Sequence, residues 1–299
     1  MRVFTSTDFT LALPEGHRFP AEKYNLLRDR LVTEGILHRE QVEASPVASE
    51  DEIAVAHAPG YIQSLKDGSI DPRDMRRIGF PWSERIHQRG QRTCGGALAA
   101  ARSALERGIS GQLAGGTHHA HKAFGAGFCI YNDFAVVALT LLDEGLVDRL
   151  AIIDLDVHQG DGNAALLVDD PRIFILDVYG EKNFPFRKVP STLDVPLPDN
   201  TGDTAFLEAI EKHLPQVWNF APDIVLYQAG VDPLITDRLG RLDITHQGLM
   251  DRDRMILEGC YRRGIPCSMG IGGGYSIPIT DTVIAYANTY VVAKDVYGV

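Results

Sequence analysis

The side chains with the clearest chemical potential lie in residues 151–162, where an apolar run is followed by acids and an imidazole. Asp154, Asp156 and His158 alternate with apolar residues, and on a strand this alternation places all three on one face. Burying neighbouring carboxylates is costly unless a cation or hydrogen-bond donors compensate. The pattern therefore predicts a buried strand that delivers metal ligands, and the alternative is a solvated strand end followed by a turn.

A third ligand is offered by Asp232, which follows another apolar run. Asp156, His158 and Asp232 would form a three-ligand set that leaves a position for water and substrate, as is typical of catalytic rather than structural zinc. The two carboxylates also suit Fe²⁺ or Mn²⁺. A divalent cation polarises a carbonyl and lowers the pKa of its water, so the set predicts attack on an amide.

Such a reaction also needs groups that move protons. His118 and His119 follow paired glycines and are the candidates, with Asp154 and Asp161 as the carboxylates that would fix their tautomers. The alternative for so short a motif is a surface histidine pair. Tyr275 follows three glycines that permit a close approach, and it is the candidate donor to a developing oxyanion.

Alternating strand and helix patterns must position these residues. The later half predicts strands at 172–178, 223–229 and 265–269 and helices at 204–218, 246–263 and 278–292. The earlier half predicts a strand at 3–5, helices beginning near Pro20, Ser49 and Pro59, a loop or short helix between Asp71 and Trp82, and helices at 84–107 and 134–142. This order predicts a three-layer α/β/α fold with a mainly parallel sheet, and the acidic and glycine-rich clusters fall where strands end, which is where ligands bind.

Length, composition and charge limit the function classes. The 299 residues, with 44% apolar content and no linker or repeat, predict a single α/β domain over 1–299. A net charge of -11 argues against nucleic-acid binding and is compatible with cationic substrates. The N-terminus lacks a signal-like segment, and no apolar run approaches a membrane span, so a cytoplasmic location without membrane contact is predicted.

Other cysteines and histidines receive no chemical role. The four cysteines, Cys94, Cys129, Cys260 and Cys267, lack zinc-knuckle spacing and are predicted to be small buried hydrophobic residues, in keeping with a reducing compartment. The isolated His38, His57 and His87 are predicted to be surface or capping residues.

Five motifs follow one another between Gly115 and Tyr275. They are Gly115-Gly116-Thr117-His118-His119-Ala120, Gly127-Phe128-Cys129, residues 154–162, Ala229-Gly230-Val231-Asp232 and Gly273-Gly274-Tyr275. Together they resemble the zinc-dependent histone deacetylase family, which implies an arginase-like α/β fold. Asp177-Val178-Tyr179 and residues 237–240 are most similar to the class IV branch and its bacterial relatives.

The resemblance implies a role for each matching residue. Zinc would be held by Asp156, His158 and Asp232. A potassium or similar monovalent ion would lie beside Asp154, Asp156, His158, Asp177 and Val178, where the family often has serine in place of Asp177. The substrate channel would be lined by Gly127, Phe128, Leu239 and Gly273, with Phe184 or Phe186 as a second aromatic.

For the chemistry, the resemblance implies that His119 with Asp161 is the principal general base and acid. His118 with Asp154 would assist electrostatically, and Tyr275 would polarise the scissile carbonyl. The implied function is a hydrolase that removes an acetyl or other acyl group from a lysine-like amine. The sequence does not indicate an oligomeric state.

Three alternatives accompany this prediction: an acetylpolyamine or other small acyl-amide deacetylase, a binding protein that reads acylated lysine without turnover, and a binuclear manganese ureohydrolase. The completeness of the motif set favours catalysis over binding alone. In the segment between Asp71 and Trp82, Arg73, Arg76 and Arg77 outnumber the acids, and the segment is short. An open, locally positive channel mouth is therefore expected to favour acyl-lysine peptides or small neutral acyl amides over acetylpolyamines.

Overall fold

Parallel strands form the centre of the computed structural model, which describes residues 1–7 and 11–299. The strands in this part of the chain are β1 (Arg2–Thr5), β2 (Val42–Ala44), β3 (Ile109–Gln112), β4 (Leu150–Asp154), β5 (Ile173–Gly180), β6 (Leu193–Leu197), β7 (Ile224–Gln228) and β8 (Cys267–Gly270). They form one sheet in the order β2-β1-β3-β8-β7-β4-β5-β6, and every neighbouring pair is parallel. The predicted α/β fold with a mainly parallel sheet is confirmed.

Helices flank this sheet. They are α1 (Lys23–Thr33), α2 (Glu50–Ala54), α3 (Pro59–Asp67), α4 (Pro72–Ile78), α5 (Glu84–Arg107), α6 (Asp133–Asp143), α7 (Asp161–Leu167), α8 (Asp203–Phe220), α9 (His246–Arg263) and α10 (Ile279–Tyr297). Four helices pack in a row, in the order α1, α10, α9 and α8. Helix α5 packs against α3, α6 and the strands β1, β3 and β8. Among the described helices, none is both long and apolar enough to cross a bilayer.

Strand β4 lies in the middle of the sheet, between β7 and β5, and all five of its residues are buried. A strand that is covered on both faces has a continuous apolar sequence, which explains why the residues from Leu150 to Ile153 are all apolar. Its register places Asp154 opposite Gln228 on one side and Asp177 on the other. Asp177, Asp154 and Gln228 therefore lie at the same level on three adjacent strands, β5, β4 and β7.

The segment between Asp71 and Trp82 is mostly helical, as helix α4. The last carbonyls of α4 do not point into solvent. The Arg77 oxygen accepts from the Gly127 N–H at 3.1 Å, and the Ile78 oxygen accepts from the Phe128 N–H at 2.7 Å. Helix α4 therefore holds the backbone of the glycine-rich segment that was predicted to line the channel.

All four cysteines are free and buried, as predicted. The prediction for the isolated histidines is wrong for two of the three: His57 is 1% exposed and His87 is 4% exposed. Both rings can be buried because they are hydrogen-bonded; a nitrogen of His87, for example, lies 2.8 Å from the Tyr131 hydroxyl.

His57 should make folding sensitive to mild acid. Its Nδ1 donates to the His121 carbonyl at 3.0 Å and its Nε2 accepts the Asn132 N–H at 2.8 Å, so a proton on Nε2 would face another donor. Burial lowers the pKa of His57 from 6.5 to about 4. Between these values the unfolded chain binds a proton that the folded protein does not, so stability falls as the pH falls.

We expect the unfolding free energy of the wild-type protein to fall between about pH 7 and about pH 5, and His57 to account for about 2 kcal/mol of that fall. In His57→Gln this part of the fall should be absent. Urea denaturation at the two pH values measures the fall. His38→Gln, at an exposed histidine, is the matched control and should keep the wild-type pH dependence. An unchanged pH dependence in His57→Gln would show that His57 is not the group that titrates.

Candidate metal and catalytic site

The candidate site lies at the carboxyl ends of β4, β7 and β8, in a cavity of about 630 Å³. Most of the predicted clusters begin where these strands end, although Asp177 lies inside β5 rather than after it. One prediction is wrong: β4 ends at Asp154, so Asp156 and His158 are not on a strand. The cause is local, because Asp154 accepts the Asp156 N–H at 3.3 Å and Asp156 accepts the His158 N–H at 2.9 Å. Such side-chain bonds compete with the strand ladder.

The three predicted metal ligands nevertheless meet. The candidate ligand atoms of Asp156, His158 and Asp232 all lie within 4.8 Å of one another. The Nδ1 atom of His158 is 3.0 Å from Asp156 Oδ1 and 3.0 Å from Asp232 Oδ2. Two carboxylates and an imidazole around one point are a donor set that suits a divalent cation such as zinc, so the residues present fit the metal implied by the sequence.

Backbone groups hold the two carboxylates in place. Val157 N–H donates to Asp232 Oδ1 at 2.9 Å, and Gly273 N–H donates to Asp156 Oδ2 at 2.7 Å. A Cβ atom on Gly273 would lie 1.9 Å from Asp232 Oδ2, which no packing permits. Glycine is required at position 273 because the backbone must touch both carboxylates.

Both predicted histidine–aspartate pairs are present. His118 Nδ1 lies 2.8 Å from Asp154 Oδ2, and His119 Nδ1 lies 2.7 Å from Asp161 Oδ1. The two imidazole rings are 4.1 Å apart, and both histidines are less than 5% exposed, at 3% and 4%. Two similar imidazoles therefore share one wall of the cavity, each tied to its own carboxylate.

The surroundings shift the pKa values of the two histidines in opposite directions. Burial lowers the pKa of His118, but the Asp154 and Asp156 carboxylates outweigh it and raise the pKa to about 10. For His119, burial and the neighbouring His118 charge together lower the pKa to about 4, against the opposing effect of Asp161. In the absence of a bound metal, these surroundings favour the charged form of His118 and the neutral form of His119.

Asp177 has an unsatisfied oxygen beside this pair. Its Oδ2 accepts the Gly160 N–H at 2.8 Å, whereas its Oδ1 is buried and has no hydrogen-bond partner among the described residues. Burial, and then the nearby Asp154 carboxylate, hold the pKa of Asp177 well above its usual range. A buried carboxylate oxygen without a donor is a place where a cation would fit.

Tyr275 lines the cavity and is 7% exposed. Its backbone is fixed on both sides: its N–H donates to Asp237 at 2.5 Å, and its carbonyl accepts from Arg238 at 3.2 Å. A buried lysine that the sequence analysis missed, Lys23, donates to the Gly274 carbonyl at 3.1 Å and lies 4.7 Å from the centre of the Tyr275 ring. Burial lowers the pKa of Lys23 to about 8.

The predicted channel residues Gly127, Phe128, Leu239 and Gly273 all line this cavity. The structure also distinguishes the two candidates for the second aromatic. The Phe184 ring is 4.8 Å from the His119 ring and lies next to Gly127, whereas Phe186 is 88% exposed at the mouth.

His121 is a second residue that the sequence analysis missed. Its Nε2 lies 2.9 Å from Asp161 Oδ2, the oxygen that His119 does not use. The available signal was a third histidine two positions after the adjacent pair.

Comparison with known proteins found relatives over most of the chain. The histone deacetylase domain model matches residues 17–291. An uncharacterized protein of Picosynechococcus sp. is 40% identical over 97% of both chains, and histone deacetylase 2 of Arabidopsis thaliana is 31% identical over 87% of this chain and 70% of its own. The acetoin utilization protein AcuC of Staphylococcus aureus is 30% identical over 87% of this chain and 73% of its own.

A solved structure is also similar over most of the chain. The crystal structure of an HDAC homolog complexed with SAHA superimposes with a TM-score of 0.83 and is 25% identical, covering 99% of this chain and 84% of that one. The shared sheet flanked by helices is the fold that the sequence resemblance implied. The chain belongs to the histone deacetylase family.

Proposed function

We propose that this protein is a metal-dependent amidohydrolase that removes an acyl group from acylated lysine or a closely similar amine. The observation that carries the proposal is one cavity whose walls include Asp156 and His158 of the three-ligand set, the histidines of both histidine–aspartate pairs, and Tyr275, with the remaining carboxylates directly behind those walls. The motif at 177–179 further suggests the class IV branch of the family.

Zinc is the metal proposed for Asp156, His158 and Asp232, and Fe²⁺ would also suit these ligands. A divalent cation held there would polarise the acyl carbonyl and lower the pKa of water. A potassium or similar ion is proposed beside Asp177 and Asp154, where the Asp177 Oδ1 has no partner among the described residues. Binding of this ion should raise the melting temperature of the metal-loaded protein when K⁺ is added, and the increase should be smaller in Asp177→Asn.

The chain's own residues would move the protons. Because His119 Nδ1 donates to Asp161, its Nε2 is left as the nitrogen that accepts a proton from the attacking water and later returns it to the leaving amine. His118, held by Asp154 in the same way, would supply positive charge beside it. Tyr275 would donate a hydrogen bond to the carbonyl oxygen as negative charge develops there.

The cavity suits an alkyl stem that carries an amide. Phe128 and Phe184 contribute apolar rings to its walls, and a side chain at Gly127 would crowd His119 and Phe184. The SAHA complex of the structural relative supports a ligand of acyl-lysine shape. A binuclear ureohydrolase is disfavoured, because the described residues contain a single group of three potential ligands. Binding without turnover is disfavoured because no member of the proposed machinery is missing.

Activity of the zinc-loaded protein on acetyl-lysine and longer acyl-lysine peptides tests the proposal. A hydroxamate, which chelates an open metal position, should inhibit any turnover that is found. Absence of hydrolysis across the panel by protein with stoichiometric zinc would refute the enzyme assignment, and turnover that a hydroxamate leaves unaffected would place the chemistry in another site.

Charge at the mouth bears on the choice between acyl-lysine and acetylpolyamine. The arginines of α4 do not line the cavity, contrary to the expectation from the sequence, but Arg18, Lys182, Arg238 and Arg241 do. Asp156, at the metal site, is the single carboxylate among the described residues that line it. Asp199 compensates in part, at 3.1 Å from Arg241 and 3.5 Å from Lys182. The mouth is therefore locally positive although the protein carries a net charge of -11.

We expect kcat/KM at low ionic strength to be higher for an acetyl-lysine peptide with acidic neighbours than for one with basic neighbours, and lowest for acetylspermidine. The expected spread is on the order of tenfold, and salt should shrink it because the charges at the mouth are exposed. Arg18→Gln should narrow the spread, while Lys212→Gln, an exposed charge on α8, should not. If acetylspermidine were the best substrate at low salt, the net charge of -11 would govern substrate preference, and the argument from the charges at the mouth would be wrong.

A further inference from the structure

The carboxylate of Asp161 is held by two imidazoles. His119 Nδ1 lies 2.7 Å from its Oδ1, and His121 Nε2 lies 2.9 Å from its Oδ2. Although burial opposes it, hydrogen bonds from His119 and then His121 hold the pKa of Asp161 well below its usual range. Asp161 is therefore an anion that accepts from both rings.

Several contacts fix the His121 ring in this position. The His121 N–H donates to the Phe124 carbonyl at 2.8 Å, and the two rings stack 4.4 Å apart at an angle of 17°. The Arg77 guanidinium lies 4.5 Å from the Phe124 ring centre. The side chain of His121 is 16% exposed. These contacts leave the ring little freedom to turn away from Asp161.

The position of His121 also separates it from the substrate. His118 and His119 line the cavity, whereas His121 is absent from its walls within the described part of the chain. A contribution of His121 to the reaction must therefore pass through Asp161. A carboxylate held at one oxygen can rotate about its Cβ–Cγ bond, and a donor on the second oxygen opposes that rotation.

We infer that His121 is a positioning residue, which locks the Asp161 carboxylate and through it the orientation of the His119 imidazole. The inference rests on the proposed function for the role of His119 as general base. Removing the outer hydrogen-bond partner of a metal ligand typically lowers metal affinity or activity by about 10- to 100-fold, and we expect a loss at the lower end of this range for a partner that acts on His119 through Asp161. Because His121 does not touch the cavity, its loss should lower kcat and leave KM unchanged.

Kinetics of three variants test the inference. His121→Phe keeps an aromatic ring on Phe124 but cannot donate, and we expect its kcat to fall about tenfold with KM unchanged. His121→Gln places an amide N–H close to the former Nε2 and should recover most of kcat. His213→Phe, which removes a histidine of α8 far along the chain, is the control. An unchanged kcat in His121→Phe, or a loss that His121→Gln does not recover, would overturn the inference.

A double-variant comparison separates positioning from general destabilisation. In an Asp161→Asn background, His121→Phe should cost little further kcat, because the group through which it acts has already been changed. Full additivity of the two losses would contradict the inference.

A spectroscopic readout does not depend on turnover. In protein labelled with ¹⁵N at histidine, the Nδ1–H proton of His119 that is bonded to Asp161 should give a downfield signal in the wild type and in His121→Gln. The same signal should broaden or disappear in His121→Phe. If it is unchanged, the orientation of His119 does not depend on His121. This outcome is informative even if no substrate is hydrolysed, so a failure of the proposed function and a failure of this inference can be told apart.

Discussion

Asp232→Ala is expected to leave the purified protein without stoichiometric zinc and without hydrolytic activity. Asp232 is fully buried, at 0% exposure, and its Oδ2 lies 3.0 Å from His158 Nδ1. Removing it leaves two protein ligands, which is fewer than the three that catalytic zinc sites use. Metal analysis by mass spectrometry, together with turnover of an acetyl-lysine peptide, measures the effect.

The fold of this variant must be monitored, because the Val157 N–H loses its acceptor when Asp232 becomes alanine. Asp232→Asn retains an acceptor oxygen and should still lose most of the metal, since the amide is a weak ligand for zinc. Asp251→Ala, an exposed aspartate on α9, should behave as wild type. Full metal occupancy and normal turnover in Asp232→Ala would refute the metal-site assignment.

Tyr275→Phe is expected to retain the fold and the metal while kcat falls on the order of 10²-fold or more, the usual cost of removing one oxyanion donor. The backbone contacts of Tyr275 with Asp237 and Arg238 do not involve the hydroxyl and should survive the substitution. His119→Ala should lower kcat to a similar degree through loss of proton transfer.

Single-turnover kinetics with the zinc-loaded protein isolate the chemical step from product release. Tyr261→Phe removes the hydroxyl of a tyrosine that is 56% exposed and serves as the control. A wild-type rate for Tyr275→Phe would mean that another group stabilises the carbonyl oxygen, and the proposed role of Tyr275 would be wrong.

The location of the site could be predicted from the sequence because it depends on topology. Helical and strand patterns alternate along the chain, so the acids and glycines that follow each strand had to meet at one edge of a parallel sheet. The local path could not be predicted in the same way. The alternation of Asp154, Asp156 and His158 indicated a strand, but hydrogen bonds that backbone N–H groups donate to the aspartate side chains end β4 at Asp154.

Two of the strands missing from the prediction have weak local patterns. Strand β2 has three residues, one of them charged, and strand β6 contains a proline at position 196. Both lie at edges of the sheet, where short strands and proline are tolerated, so neither carries the long apolar run of a central strand. Their positions are set by pairing with neighbours that are distant in sequence.

The burial of certain polar residues was also not predicted from the sequence. Lys23 shares a helix face with Leu27 and Leu31, a spacing that indicates burial, but nothing in the local sequence showed the Gly274 carbonyl that accepts its hydrogen bond. His57 is similar, since both of its ring partners are backbone groups far along the chain. A buried polar residue is recognised by its partners, and those are brought together only by the tertiary fold.

The attachment of the channel wall to helix α4 has a consequence for protein engineering. Gly127 and Phe128 are held by the final carbonyls of α4, whereas the proposed metal ligands are held by backbone groups at Val157 and Gly273. Channel width and metal geometry therefore depend on separate parts of the backbone. Shortening or lengthening α4 offers a way to vary the width of the channel in directed evolution without moving the backbone groups that hold the proposed metal ligands.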